Sequence, residues 1–132
     1  MMADNNNVKN KGDIDVWIKQ AVRDMQSAEN SLKSGDYYVA ALLSQQAVEK
    51  ALKYLYITRK KKLLPIHDLT ALAKLVGAPQ DILFKCSEIN PVYIEVRYPS
   101  GKDLPSEKID ERQAKHILTI TYGILIWVKE QV

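Results

Sequence analysis

The sequence predicts an all-α protein, an antiparallel up-and-down helical bundle with three long helices and short helices between the second and the last. Apolar residues recur at steps of three and four over long segments, which is the period of an amphipathic helix. The chain has only five Gly and five Pro among 132 residues, and no segment alternates with period two for long enough to indicate a strand. A chain of this length predicts one domain with a substantial core.

The first long helix is expected to begin at Asp13, a good N-cap residue, and to end at Ser34. Gly35 can stop it as a left-handed residue. Residues 1–12 are polar and aperiodic, so we expect a disordered tail there and a helical domain over 13–132. The apolar stripe of this helix comprises Ile14, Trp17, Ile18, Ala21, Val22, Met25, Ala28 and Leu32.

The second long helix is expected to follow at once, with Asp36 as its cap. Its inner face is rich in Ala and Ser, and small residues let a neighbouring helix approach closely, so we expect a tight helical hairpin. The residues of this face are Tyr37, Ala40, Ala41, Ser44, Ala47, Val48, Ala51, Leu52 and Leu55. The helix ends in the basic block Arg59, Lys60, Lys61 and Lys62, whose charge suits the negative end of the helix dipole.

The rest of the chain predicts shorter elements and one last long helix. Pro65 breaks the helical pattern, and Asn90-Pro91 interrupts it again. We expect short helices over about 68–76 and 79–89, a possible helical continuation over 92–97, an exposed loop over 98–108, and a final helix over about 109–132. The apolar positions of the final helix are Ala114, Ile117, Leu118, Thr121, Leu125 and Val128, widened by Ile124 and Trp127.

Composition excludes several classes of protein. The formal charge of +3 permits an RNA or acidic partner, although a dedicated nucleic-acid binder is usually more basic. The single cysteine, Cys86, cannot form an internal disulfide, which favours a reducing compartment. No apolar run reaches the roughly 20 residues that span a bilayer, and the N-terminus has no apolar signal segment. We therefore expect a cytoplasmic protein without a membrane association.

Several strings in the sequence resemble one family. They are Trp17-x3-Ala21-x2-Asp24-x3-Ala28, Gly35-Asp36-Tyr37 followed by Ala40-Ala41, the dense string SQQAVEKALK over 44–53, His67-Asp68-Leu69, and Tyr93-x3-Arg97-Tyr98-Pro99. Their identity and order resemble the HEPN domain over nearly everything from residue 13 to 132.

The resemblance implies a small helical bundle that is usually a homodimer. Many such proteins assemble with a minimal nucleotidyltransferase encoded beside them. Several pairs act as toxin–antitoxin systems in which the HEPN member cuts RNA, and others are described only as nucleotide-binding. The cutting members carry an Arg followed by a His after four to six intervening residues, and the dimer joins two copies of this pair in one composite site.

This sequence departs from the cutting pattern. After four, five or six intervening residues, Arg97 is followed by Lys102, Asp103 and Leu104, and none of them is His. Metal-independent RNA cleavage needs a group that moves a proton near neutral pH, for which His is the suited side chain. We therefore expect a binding and interaction module and assign no catalytic residue.

The polar face of the second helix is the first candidate site. Gln46, Glu49, Lys50 and Lys53 follow at steps of three, one and three, so they share a face. One interpretation is a solvated face with a Glu49–Lys53 pair. The alternative is that Glu49 and Lys50 face the bundle or a dimer cleft and pair with Arg97 and Asp24 in a buried polar network that could line a ligand pocket.

Arg97 and Tyr98 are the best binding candidates, as a phosphate-binding guanidinium beside a ring that can stack on a base. The alternative is that Arg97 pairs with Glu95, Glu49 or Asp24 and that Tyr98 covers the core. His67 is a further candidate, either as a proton carrier or as a structural residue beside the helix cap Asp68. The basic block 59–62 is either a helix end or a landing site for RNA phosphates.

No cofactor or metal site is expected, because neither His has ligand neighbours and Cys86 has no Cys partner. The chain also lacks a Gly-rich phosphate loop and a nucleotidyltransferase motif. The sequence thus predicts a HEPN-type nucleotide- or RNA-binding and interaction module that dimerises and pairs with a minimal nucleotidyltransferase. The alternatives are a ribonuclease toxin with a nonstandard site around Arg97, and a scaffold without a ligand.

Overall fold

The computed structural model describes residues 7, 8 and 10–132, and the expectation of disorder for 1–6 and 9 lies outside them. The described part is helical and contains no β-strand, which confirms the predicted all-α class. Its elements are α1 (Lys11–Lys33), α2 (Tyr37–Lys60), α3 (Leu69–Leu75), α4 (Gln80–Ile89), α5 (Val92–Glu95), a 3-10 turn (Pro105–Glu107) and α6 (Glu111–Glu130). The three long helices are α1, α2 and α6, and the short ones lie between the last two, as predicted.

Helix α2 is the central element because it packs against α1, α3, α5 and α6. The predicted inner face is buried, apart from Tyr37, which is half-buried. Small side chains let α1 and α2 pack closely along their lengths. The buried residues of α2 are Ala40, Ala41, Ser44, Gln45, Ala47, Val48, Ala51, Leu52, Lys53, Leu55 and Ile57. Gln45 and Lys53 are polar members of this set that hydrophobic periodicity did not indicate.

Glycine ends two helices through the same local geometry. Gly35 follows α1 with φ of +81°, and the backbone N–H of Asp36 donates to the carbonyl of Ser31 at 2.9 Å. Gly77 follows α3 with φ of +71°. Both positions need a left-handed backbone that only glycine adopts without strain, as the sequence predicted for Gly35.

The first helix begins earlier than predicted. Asn10 is the N-cap, and its side-chain oxygen accepts from the backbone N–H of Gly12 at 2.8 Å, so the prediction that Asp13 caps α1 is wrong. Asp13 lies in the first turn, where its charge suits the helix dipole. Just before this cap, the backbone N–H of Val8 donates to the carbonyl of Lys61 at 2.7 Å. Residues that were predicted to belong to the tail therefore contact the end of α2.

Other helix ends differ from the prediction by a few residues. Asp36 occupies the N-cap position of α2 but makes no side-chain capping bond. Helix α6 begins at Glu111, because Asp110 and Gln113 form a capping box that fixes its start. Helix α5 ends at Glu95, so the possible helix over 92–97 is shorter than expected. The predicted loop 98–108 is exposed over 98–104 and then forms the 3-10 turn.

No helix in the described part of the chain is long and apolar enough to cross a membrane.

Candidate functional site

The structure brings five of the sequence candidates into one cleft of about 270 Å³. It lies where α2 faces the segment before α3 and the segment around α5. The residues that line it are Gln46, Glu49, Lys50, His67, Tyr93 and Arg97. Tyr93 is the one member that the sequence interpretation did not propose as a site residue, although it stands one helical turn before Arg97.

Glu49 is the centre of the polar network in this cleft. Its carboxylate accepts a hydrogen bond from Gln45 Nε2 at 3.2 Å and from Lys53 Nζ at 3.1 Å. Because Gln45, Glu49 and Lys53 are spaced by four residues, they lie one above the other on α2. The Glu49 side chain is 14% exposed and that of Lys53 is 7% exposed. The interpretation of this pair as part of a solvated helix face is therefore wrong.

The Glu49 carboxylate also binds His67. Nδ1 of His67 lies 3.0 Å from Oε2 and 3.2 Å from Oε1. Burial by itself raises the pKa of Glu49, but the hydrogen bonds and charges of His67 and Lys53 outweigh it, so the pKa is lowered. The carboxylate is thus held ionised in a mostly buried position.

This contact fixes the tautomer of neutral His67. An ionised carboxylate can only accept, so Nδ1 must carry the proton that it donates to Glu49. Nε2 is then the free acceptor of the neutral ring. The His67 side chain is 51% exposed, so this nitrogen can serve a ligand in the cleft.

Two polar side chains, Asp68 and Asn90, join the start of α3, next to His67, to the end of α4. The Asp68 carboxylate accepts from the backbone N–H of Ala71 at 3.1 Å and from Asn90 Nδ2 at 2.9 Å. The side-chain Oδ1 of Asn90 in turn accepts from the backbone N–H of Leu69 at 2.9 Å. The predicted role of Asp68 as a helix cap is confirmed, and the Asn90 contact ties the start of α3 to the end of α4. These hydrogen bonds therefore hold in place the backbone from which the His67 side chain extends.

Tyr93 connects His67 with Arg97. Its ring stacks on the imidazole with centroids 4.9 Å apart and an interplanar angle of 15°. The guanidinium carbon of Arg97 lies 4.5 Å from the centroid of the same ring, a cation–π distance. Arg97 makes no ion pair with a described carboxylate, so the expected pairing of Arg97 with Glu49, Glu95 or Asp24 is wrong.

Lys50 forms the wall of the cleft toward α1. Its ammonium pairs with the carboxylate of Asp24, which is 6% exposed, and Gln20 Nε2 donates to the same carboxylate at 2.8 Å. The sequence interpretation that joined Lys50 to Asp24 is confirmed. The cations Lys50, Lys53 and Arg97 thus outnumber the two carboxylates of the network, and Arg97 carries the charge that is not balanced within it.

The structure places the remaining candidates elsewhere. Tyr98 is 56% exposed and does not line the cleft, so its predicted alternative role as a cover of the core is wrong. Arg59 of the basic block donates through Nη1 to the carbonyl of Val76 at 2.6 Å, which satisfies the end of α3. The three lysines of the block are exposed, and none of them lines the cleft.

Other reactive side chains lie apart from this cleft. Nε2 of His116 is 3.3 Å from the Glu88 carboxylate on the surface. Cys86 is buried, and its burial raises the pKa of the thiol to about 12. Over residues 7, 8 and 10–132, no three His, Cys, Asp or Glu side chains are grouped as metal ligands would be.

These features define a class: a small all-α protein with a cationic cleft between its central helix α2 and the segments around α3 and α5. The family model of the HEPN domain matches residues 14–131. The chain therefore belongs to the HEPN domain family.

Two solved structures resemble the whole fold. TT1696 from Thermus thermophilus is 28% identical, with a TM-score of 0.84 over 90% of this chain and 98% of that one. ST0689, described as an archaeal HEPN homologue, is 35% identical, with a TM-score of 0.76 over 89% of this chain and 96% of that one. No curated protein matches the chain.

Proposed function

We propose that this HEPN protein binds the phosphate of a nucleotide or an RNA in the cleft between α2 and Arg97. One observation carries the proposal: the Arg97 guanidinium lies on the Tyr93 ring and has no ion pair with a carboxylate of the described residues. A guanidinium that stacks through its flat face leaves the N–H groups at its edge free to donate to the oxygens of a phosphate.

The rest of the cleft suits the same ligand. Lys50 lines the same cleft with its ammonium fixed by Asp24, and the free Nε2 of His67 can bind a hydroxyl or, when protonated, a phosphate oxygen. Tyr93 lines the same cleft and holds the His67 imidazole and the Arg97 guanidinium against its ring. Glu49 does not cancel the attraction, because its charge is already engaged with Lys53 and His67.

A binding titration tests the proposal. Calorimetry with ATP, GTP and a short single-stranded RNA is expected to detect binding, and Arg97→Ala is expected to weaken it about tenfold or more. Arg112→Ala is the matched control, since it removes the same charge from an exposed site on α6. Equal affinity in the wild type and Arg97→Ala, or no binding of any of these ligands, would contradict the proposal.

We further propose that the protein forms a homodimer and pairs with a minimal nucleotidyltransferase in the cytoplasm. Membership of the family supports this arrangement, as do exposed apolar residues on α6: Ile126 is 57% exposed and Tyr122, one turn earlier, is 39% exposed. Exposed neighbouring apolar side chains are typical of protein contacts. Co-expression with a nucleotidyltransferase encoded beside this chain, followed by size-exclusion chromatography, tests the pairing, and separate elution of the two proteins would oppose it.

A second candidate function, RNA cleavage, is favoured by one contact. His67, which is remote from Arg97 in sequence, shares the Tyr93 ring with it. Neutral His67 could take the proton of a ribose 2′-hydroxyl through Nε2 while the oxygen attacks the adjacent phosphorus. The bond to the 5′-oxygen would break, that oxygen would take a proton from water, and Arg97 would stabilise the charge on the phosphate.

An RNA cleavage assay distinguishes this candidate from simple binding. If the chain cleaves, both His67→Ala and Arg97→Ala are expected to lose the 2′,3′-cyclic phosphate product. His116→Ala is the control, because it removes the other histidine of the chain. Intact RNA that is nevertheless bound would leave the binding module as the function.

A further inference from the structure

A second, more apolar cleft adjoins the cationic one on the other side of Lys50. It has a volume of about 280 Å³ and is lined by Val16, Trp17 and Gln20 of α1 together with Lys50. Lys50 also lines the cleft that contains Arg97. Lys50 therefore separates the proposed phosphate site from this second cleft, which we call the shelf.

Trp17 differs from the other tryptophan of the chain. Trp127 packs against the hydrophobic core, whereas Trp17 is half-buried and is not among the described side chains that pack on it. The preceding residue, Val16, is 54% exposed. A large aromatic side chain that does little for the core and borders an open cleft is available to a ligand.

We propose that Val16, Trp17, Gln20 and Lys50 form a base-stacking subsite, so that the ligand of the whole surface is a single-stranded oligonucleotide of two or more nucleotides. This inference rests on the proposed function, because the phosphate of the ligand is held at Arg97. Trp17 then provides an aromatic surface for a base beside the wall formed by Lys50, and Arg97 holds the phosphate in the next cleft. Alternating stacking surfaces and cations are how proteins hold single strands with little dependence on sequence.

The shelf is continuous with the cationic cleft, because Lys50 lines both. A lone apolar shelf would equally suit a protein segment, but this one ends at a lysine shared with a site whose charge is positive. The Lys50 ammonium is fixed by Asp24, so its position does not depend on the ligand. A nucleotide adjoining one at Arg97 would meet this lysine first and the indole of Trp17 next.

The test compares ligands of two lengths. Affinities for AMP, for a hexameric oligouridylate and for a hexameric oligothymidylate are measured at one salt concentration. Trp17→Ala is expected to weaken hexamer binding about tenfold, the typical effect of one lost base stack, and to change AMP binding less than twofold. Arg97→Ala is expected to weaken all three ligands, and Trp127→Phe is expected to change none.

Two further measurements test the subsite even if the Trp17→Ala protein does not fold. In the Trp127→Phe protein, Trp17 is the sole tryptophan, and the hexamer is expected to quench its fluorescence while AMP does not. Val16→Glu changes an exposed residue at the edge of the shelf and is expected to weaken hexamer binding several-fold, whereas Val16→Lys is not.

The outcomes separate the subsite from the proposed function. Hexamer binding that depends on Arg97 but is unaffected by Trp17→Ala and Val16→Glu, without quenching, overturns the subsite and leaves the phosphate site intact. A change of oligomeric state in Trp17→Ala with unchanged hexamer affinity shows that the shelf is a protein interface and also overturns the proposal. Failure of the wild type to bind AMP or either hexamer overturns the proposed function itself.

Discussion

At the scale of single residues, the ionised Glu49 carboxylate ties three side chains together. Gln45 and Lys53 reach it from the same helix, and His67 reaches it from the segment before α3. Removing its charge leaves the ammonium of Lys53 buried without a counter-ion, which is costlier than losing the pair itself. We therefore expect Glu49→Gln to lower the free energy of unfolding at pH 7 by roughly 3 kcal/mol.

The ionisation of Glu49 is expected to make the stability of the protein depend on pH. The pKa of Glu49 is lower in the folded protein than its ordinary value of 4.5, so the folded state favours the ionised form. Its contribution to stability is present above about 4.5 and is lost as the pH falls through the lowered pKa. Urea denaturation between pH 3 and 7 is expected to show a shallower acid decline in Glu49→Gln than in the wild type. Parallel curves would contradict this expectation, and Glu130→Gln, at an exposed position, is the control.

Cys86 gives a prediction about reactivity. Its thiol is buried, and the pKa of about 12 leaves almost no thiolate at neutral pH. We expect no reaction with an aromatic disulfide reagent in the native protein at pH 8, and a stoichiometric reaction in denaturant. Rapid labelling of the native protein would show that the packing around α4 opens readily.

The residue types of the site and the Lys50–Asp24 pair were predictable from the sequence, whereas the partners of His67 and Arg97 were not. Helical spacing put Glu49, Lys50 and Lys53 on one face, but spacing does not say whether that face is buried. His67 and Glu49 meet across 18 residues, and such a contact depends on how α3 packs on α2. Tyr93 rather than Tyr98 supports Arg97, because the four-residue helix α5 places position 93 next to the imidazole.

At the scale of helices and turns, replacement by alanine is expected to have opposite effects on stability at two glycine positions. Gly35 has φ of +81°, so Gly35→Ala is expected to destabilise the protein by about 1 kcal/mol through backbone strain. Gly123 lies inside α6 with an ordinary backbone, and an added Cβ would meet only the flexible end of Lys85, at 3.0 Å from Nζ. Gly123→Ala is therefore expected to be neutral or stabilising by up to about 1 kcal/mol.

Thermal unfolding of the two alanine variants checks this pair. Each variant is the control for the other, since both add one methyl group to a glycine. Destabilisation of both by the same amount would show that Lys85 cannot move and that crowding, not backbone conformation, decides the effect at position 123.

The presence of the long helices was easier to predict than the residues at which they begin and end. The long apolar stripes indicated α1, α2 and α6, because burial of one face dominates their stability. The ends depend on single side-chain contacts, such as the Asn10 bond to Gly12 and the Asp110–Gln113 box. Both Asn10 and Asp13 are acceptable caps by residue type, so the sequence alone did not decide between them.

At the scale of the whole molecule, the central position of α2 explains why the site lies where it does. One side of α2 packs on α1 and another on α6. The polar face between them receives His67 and Arg97 from the short elements. Side chains that are distant in sequence therefore meet on the surface of α2. The pattern of residues along the chain does not show which of them meet.

The outer face of α6 is the surface on which the proposed homodimer contact is expected. Ile126 and Tyr122 are exposed there and lie one helical turn apart. If this face forms the proposed homodimer, Ile126→Arg places two like charges in an apolar seam and is expected to weaken self-association at least tenfold. Sedimentation velocity across a micromolar concentration series measures the effect. Leu75→Arg is the matched control, because Leu75 is 52% exposed at the end of α3. A dimer that persists in Ile126→Arg, or that is lost in Leu75→Arg instead, would place the seam on another face, and a monomeric wild type would remove the dimer altogether.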